Sequence, residues 1–582
     1  MDHKKYYYLF VFGFFLILLI NNNQAYTFPI KKFFFKKKIH LIHADFIQKN
    51  EKSHNDIFDL TGHVHLEHHG YHLFCDKAIY YKKNNQFYGY GNVQLVSNQN
   101  RIYSQKIEFS KNFLKVSKNV ILFQDNIKKL TANAIIYSFI KKSFQATKNV
   151  ILFINNKLKL STHILEYDLK LKKIFYKKGG WIFYGNSTII YSKEGSYFLT
   201  KKKAELKHEI KLVSNNYTVY SNTMKYFFQL DKLDFLSPTI VIHNNNQSSN
   251  SFLYLKEGSF LFRKKIFLSK KNFSIHYKGK IIKGGYLFFD HKKKYGFIKN
   301  VFFEDPKIGY LMGVYGIFDL NSGLFSLKKD STAVKKISNQ DSIIIHSDTI
   351  QISLLKKSTT LIQAFPVKNI FFMNGVMQGK CDFLVYEQSN NNSSIIHSSM
   401  LLNGNPIFWI NNNQQFTGDS ISISMKNNMI DSLSIKNVFF IKKINSEKFH
   451  QIKGENMTGF FNHEKKNIEK ILIKGNAKSI IFLYDTTQNL INKSSCGIIL
   501  LELKKEGKEI SKISCIDKAY SELFPFSSKN IYKKNLFFPK FFWREREEKE
   551  IQSKKNSVLK QIEKYKEESF LEQKERKKIK KN

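Results

Sequence analysis

The chain has 582 residues and a mass of 68.6 kDa, enough for about four units at roughly 150 residues per domain. With 42% hydrophobic and 15% aromatic residues it can bury large apolar surfaces, which excludes a mainly disordered protein, and 7 Pro with 27 Gly exclude collagen-like or Pro-rich architectures. The 94 Lys+Arg against 47 Asp+Glu give a net charge of +47, but Lys, Asn, Ile and Phe are inflated together, as AT-rich codons specify, and the excess is spread along the chain rather than gathered into a nucleic-acid footprint.

Lys4 and Lys5 precede an apolar run from Tyr6 to Ile20, followed by Asn21, Asn22, Asn23, Gln24 and Ala25. This charged, apolar, polar order predicts a secretory signal peptide over 1–25, too short in its apolar part for a membrane span. The mature body is expected in an exported compartment, the periplasm or outer membrane, and N-terminal anchoring is the alternative to cleavage.

A repeat runs through the first third. Gly62-His63-Val64-His65-Leu66, Gly91-Asn92-Val93-Gln94-Leu95, Lys118-Asn119-Val120-Ile121-Leu122, Lys148-Asn149-Val150-Ile151-Leu152 and Gly180-Trp181-Ile182-Phe183 look alike, and Val64, Val93, Val120, Val150 and Trp181 are 29, 27, 30 and 31 residues apart. Such a period means stacked supersecondary units, and two short strands with a turn fit in each. Further along, Ile421, Ile423 and Met425 alternate strictly with Ser420, Ser422 and Ser424, the mark of a strand with one buried face. Asn- and Lys-rich turns such as Lys82-Lys83-Asn84-Asn85 separate the strands. The strands at Val301, Ile370 and Val438 recur at spacings of 69 and 68. The expected class is all-β.

Cys75, Cys381, Cys496 and Cys515 are too few for a disulfide framework. Buried unpaired thiols are expected, with Cys496 and Cys515 the pair that neighbouring strands could bring together. From Arg544 to Asn582 the 14 Lys/Arg and 9 Glu with a weak stripe of Val558, Ile562 and Tyr565 predict a solvated helix or disorder.

The export signal, the stacked Asn-Val-x-Leu strands, Asn405-Pro406-Ile407-Phe408-Trp409 followed by Gln415-Phe416-Thr417-Gly418-Asp419-Ser420-Ile421, and the ending Leu536-Phe537-Phe538-Pro539-Lys540-Phe541-Phe542-Trp543-Arg544 together resemble the OstA-like proteins. Gln378-Gly379-Lys380-Cys381-Asp382, Gln451-Ile452-Lys453-Gly454 and Gly475-Asn476-Ala477 resemble the long form found in Bacteroidota, and the heavy Lys/Asn/Phe content resembles an endosymbiont's. The family is related to the periplasmic bridge proteins of lipopolysaccharide transport and to the N-terminal domain of the outer-membrane assembly translocon. The resemblance implies tandem, open, twisted β-jelly-roll modules over 38–200, 201–340 and 341–530, with the charged tail at 531–582. It also implies lipopolysaccharide or a related glycolipid as ligand, outer-membrane assembly as the process, and other transport components, or a second copy joined by edge-strand addition, as partners and as the link to the membrane. Neither a cofactor nor nucleic acid is implied.

Val64, Val93, Val120, Val150, Trp181, Ile421 and Ile423 are the candidates for lining a lipid groove. An open groove and a filled core give the same alternation, so both readings stand. His63, His65, His68, His69 and His72 lack a Cys or carboxylate partner at ligand spacing, and no metal site is expected. No Gly-x-Ser-x-Gly, His-Glu-x-x-His or phosphate loop occurs, so the chain does not read as an enzyme. An exported structural or adhesive β-solenoid or partner-binding scaffold is the competing class.

Overall fold

Strand after strand is broken at its middle by the same feature, and that break shapes the fold. The computed structural model describes residues 39–581 apart from 50–55, 69, 98–99, 125–127, 155–157, 186, 216, 245–250, 278, 307–308, 337–341, 354–358, 373–376, 390–395, 428, 463–466, 485–488, 505–508, 526–535 and 546–547. The expected signal peptide lies outside the described residues. Among them are 41 strands and one helix. The expected all-β class holds.

The first strands are β1 (His40–His43), β2 (Phe46–Lys49), β3 (Ile57–His68), β4 (Tyr71–Tyr81), β5 (Gln86–Val96), β6 (Asn100–Phe109), β7 (Phe113–Gln124), β8 (Lys128–Ser138), β9 (Ser143–Ile154) and β10 (Leu158–Asp168). From β3 to β10 each pairs antiparallel with the next, so the period of about 30 residues is one hairpin. In the odd strands two residues before the buried valine have positive φ: Gly62 and His63, Gly91 and Asn92, Lys118 and Asn119, Lys148 and Asn149. The ladder register shifts at the same places. An extra residue on one strand kinks it, so each strand runs first in one half-sheet and then in another. The Lys/Gly-Asn-Val motif is therefore a bend, and its Asn and Gly are there because they enter the left-handed region at low cost. A Cβ at Gly62 would meet the Asp45 carboxylate at 2.1 Å, and one at Gly91 the Asp76 carboxylate at 2.3 Å. Those carboxylates close over the bulge, with Asp76 accepting from Asn92 Nδ2 at 3.0 Å.

The two half-sheets face each other. One buried cluster joins Phe87, Ile107, Phe109 and Ile135 from the first halves of the hairpins with Leu66, Leu73, Leu95 and Leu122 from the second. By packing the chain divides into a first unit (up to 278, with 290–292 and 572–582) and a second (279–289 and 293–571).

In the second unit, residues 536–544 form a strap over one sheet face. Gln451 donates from Nε2 to Leu536 O at 2.9 Å and accepts from Phe538 N at 3.0 Å; Gln415 donates to Phe542 O at 2.7 Å and accepts from Arg544 N at 2.9 Å. A carboxamide presents one peptide's worth of donor and acceptor, so each buried glutamine acts as a surrogate for a neighbouring strand. Trp409 Nε1 donates to Arg544 O at 3.0 Å, and Phe541 and Trp543 pack on Phe449 at 5.2 and 5.6 Å.

Helix α1 (Glu548–Lys581) corrects the expectation of a solvated tail. In the second unit Val558, Ile562 and Tyr565 pack on Phe302, Tyr310, Met312, Val334 and Ile344, with Tyr565 stacked 4.2 Å from Phe302. In the first unit Ile579 joins Ile240, Phe252 and Tyr254, and Glu575 accepts the Tyr254 hydroxyl. The weak stripe is the buried seam of an otherwise charged helix.

Candidate functional site

At the bend the two half-sheets converge, and only small or β-branched side chains fit. Val64 faces Cys75, Val93 faces Ser104, Val120 faces Ala132 and Val150 faces Thr162 across successive ladders. The row continues through Gly180 and Ser192. The second unit repeats it with Ser331, Ser347, Val367 and Cys381, and again with Val438 opposite Gly454 and Ala477 opposite Cys496. Because a bulge opens the ladder, carbonyls there need other donors. Thr162 Oγ1 donates to Gly179 O at 2.7 Å, and Ser347 Oγ to Pro366 O at 2.8 Å.

This row was legible in part. Cys75, Ser104, Ala132, Thr162 and Ser192 are 29, 28, 30 and 30 residues apart, the period of the valines. Their chemical variety hid them, because the bend selects size and not polarity.

Trp181 does not occupy the place its motif suggested. Thr162 lies between Val150 and Gly180, so Gly180 continues the valine row and Trp181 points to the other face, 47% exposed and packed on Tyr191 at 4.9 Å. Lys178-Gly179-Gly180, with Gly179 at φ 81°, matches Lys148-Asn149-Val150. The Tyr176 ring fills the space, 2.6 Å from where a Gly180 Cβ would stand, and its hydroxyl lies 2.6 Å from Ser192 Oγ. Burial pushes that phenol up to about 12.

Val64, Val93, Val120 and Val150 come together in one cluster and are at most 1% exposed. Two residues further from the bend, Leu95, Leu122 and Leu152 are each 8% exposed. Leu66, at the same place in the first hairpin, is 2% exposed, and Leu130, opposite Leu122 and Leu152, 1%, so the interior is closed at the valines and stays buried at the leucines. Near the N-terminal end Leu66, Leu73, Phe87, Leu95, Ile107 and Phe109 line a pocket of about 20 Å³. Ile421 and Ile423 belong to the packed interior of the second unit, on ladders with Leu402 and Met400. A second pocket of about 10 Å³ lies against Ile343, Ile345, Ile362 and Lys335, whose ammonium donates to Gln388 Oε1 at 2.7 Å. Burial lowers Lys335 to about 8.

Cys496 and Cys515 are disulfide-bonded, with Cα atoms 5.8 Å apart, which corrects the expectation of four thiols. Neighbouring strands bring them together. Cys75 and Cys381 are buried free thiols, pushed up by burial to about 11 and 12 and so unreactive. In the histidine stretch, His65 Nε2 lies 3.1 Å from His72 Nδ1, and no three His, Cys, Asp or Glu side chains form a metal-ligand group among the described residues. No described helix is long and apolar enough to cross a membrane.

Residues 36–144 and, again, 101–222 match the family described as OstA-like protein. The two overlapping matches fall on the bent hairpins whose register was set out above. No curated protein matches the chain. The bent-hairpin stack and the doubled match fall on the same residues, and over residues 36–222 the chain is similar to the OstA-like family.

Proposed function

We propose that the chain holds the acyl chains of lipopolysaccharide, or of a lipid A-like glycolipid, between its half-sheets and passes it toward the outer membrane as a non-enzymatic periplasmic bridge. The observation that carries this reading is an apolar interior that runs unbroken along successive hairpins between the two half-sheets. Each CH₂ kept from water is worth about 0.8 kcal/mol, so a ligand with several acyl chains needs continuous cover of this kind. With pockets of about 20 and 10 Å³, an acyl chain enters only as the half-sheets part, and the row of small residues is where they would hinge. The N-terminal edge supports joining to a partner or a second copy, because β1 and β2 pair with β3 and expose Ile42 and Phe46.

The test is photo-crosslinking in cells. A photoreactive residue at Leu95, Leu122 or Leu152 is expected to capture glycolipid, one at Val93 or Val120 less, and one at the outward Asn92, Asn119 or Asn149 almost none. Equal capture at all sites, or none at any, favours the filled scaffold that the sealed valine row by itself would suit.

A further inference from the structure

The connections at one edge of the first unit are stacked and basic. Leu169 N donates to Lys142 O at 3.1 Å, Leu199 N to Lys172 O at 3.0 Å, Phe228 N to Lys202 O at 3.1 Å and Phe262 N to Asp231 O at 3.0 Å. Each turn is thereby bonded to the one before. Lys142, Lys172, Lys202 and Lys265 take the same left-handed position, at φ 50°, 47°, 42° and 54°. Successive turns are two strands apart, so the lysines are spaced about 10 Å, or about 20 Å where Asp231 intervenes, along an edge of about 40 Å. Asp231 does not cancel them, since it is buried, takes the Tyr226 hydroxyl and has Arg263 Nε at 3.8 Å. Lys141, Lys142, Lys170, Lys172, Lys201 and Lys202 make no ion pair among the described residues.

Asn is encoded by codons as AT-rich as those of Lys and is the cheaper residue in the left-handed region, where Lys costs roughly 1–2 kcal/mol. The chain uses Asn at φ 52° in the first turn of the series, Asn85, and Asn beside a left-handed Lys118 and Lys148 at two of the bulges. In the turns of this edge lysine takes the left-handed position four times, at a conformational cost.

Between the lysines stand aliphatic tips: Ile140, Leu171 and Leu230 are 64–68% exposed. A ligand phosphate would account for the lysines and leave the tips unexplained. A single-stranded nucleic acid would call for aromatic platforms. Lysines in line with shallow aliphatic tips fit the interface of an anionic bilayer, where apolar side chains enter the headgroup boundary and each basic residue adds attraction.

We propose that this edge docks lengthwise on an anionic phospholipid bilayer surface. The inference stands on the turns alone and does not depend on lipid in the interior. The test is flotation of the full chain with vesicles of phosphatidylethanolamine and phosphatidylglycerol at 7:3, against vesicles of phosphatidylethanolamine and phosphatidylcholine. Binding to the first set is expected, weakening as salt rises. Replacing Lys142, Lys172, Lys202 and Lys265 by Asn, which suits the same backbone, is expected to weaken it several hundredfold at about fivefold per lysine, with thermal stability retained. Replacing Ile140, Leu171 and Leu230 by Ser is expected to weaken it with the salt dependence unchanged. Absence of binding to the anionic vesicles, unchanged binding by the lysine variant, or a lysine variant that loses only diphosphorylated lipid A micelles would each overturn the proposal. Leucine crosslinking that fails while vesicle binding persists would overturn the glycolipid reading alone.

Discussion

At Gly180 the row of valines gives way to an aromatic ring. Tyr176 reaches into the bend and takes the volume a valine fills one hairpin earlier, so a side chain at Gly180 meets ring atoms at 2.6 Å. Gly180→Val is therefore expected to destabilise the chain by about 1–3 kcal/mol in urea unfolding, the usual cost of overpacking. Pairing it with Tyr176→Ala restores part of the loss, because it returns the valine arrangement of the previous tier. Trp181→Ser, at an exposed site, is expected to shift stability by no more than about 0.5 kcal/mol. Equal losses for Gly180→Val and Trp181→Ser would show that the indole, and not the glycine, belongs to the row. The misplacement of Trp181 has a plain cause. A strand's periodicity fixes which residues share a face only until a bulge, and Lys178-Gly179 moves the bulge one residue relative to where a Gly-aromatic motif suggests.

Among the elements, the strap and helix α1 matter most beyond the hairpins. The strap's backbone is received by Gln415 and Gln451, both fully buried, and its rings by Phe449 and Phe439. Gln451→Leu leaves Leu536 O and Phe538 N without a protein partner, at about 1–3 kcal/mol for each group that stays buried. Truncation after residue 535 is expected to lower the melting temperature and to expose the Phe302, Tyr310 and Met312 face, seen as increased binding of a hydrophobic dye. An unchanged melting curve would mean that the tail lies free in solution. The helix was legible as a stripe of Val558, Ile562 and Tyr565, and its burial was not, because a narrow apolar seam on a charged helix is equally consistent with solvent. The disulfide was legible as a possible pair and decided by the strand register that sets Cys515 beside Ile499, next to the strand segment holding Cys496.

For the molecule as a whole, buried ionisable groups in the second unit set the response to pH. Burial lowers His346 and His450 to about 4, with Lys554 beside the first and Lys442 beside the second adding to the effect. The neutral ring of His450 accepts from Phe482 N at 3.3 Å. Below pH about 6.5 the unfolded chain takes up protons that these folded rings refuse until pH about 4. Their contribution is therefore full above about 6.5 and lost as the pH falls toward 4, by about 3 kcal/mol for His450 alone. Hydrogen exchange across this window is expected to show the second unit opening before the first, and His450→Gln to flatten the dependence. A variant as acid-sensitive as the parent would place the titration elsewhere.

The sequence by itself determined the class of fold and the period, because alternation and the spacing of the Asn-Val motifs are local properties that survive without any partner strand. It also carries the resemblance to the OstA-like proteins, and the family match over residues 36–222 falls on the same hairpins. Tertiary structure alone decided that the Asn-Val motif is a bend, that Val64, Val93, Val120 and Val150 sit where two half-sheets close, and that lysine turns align along one edge. These depend on ladder register, which brings together residues about 30 positions apart, and a bulge changes that register without changing the composition on either side of it.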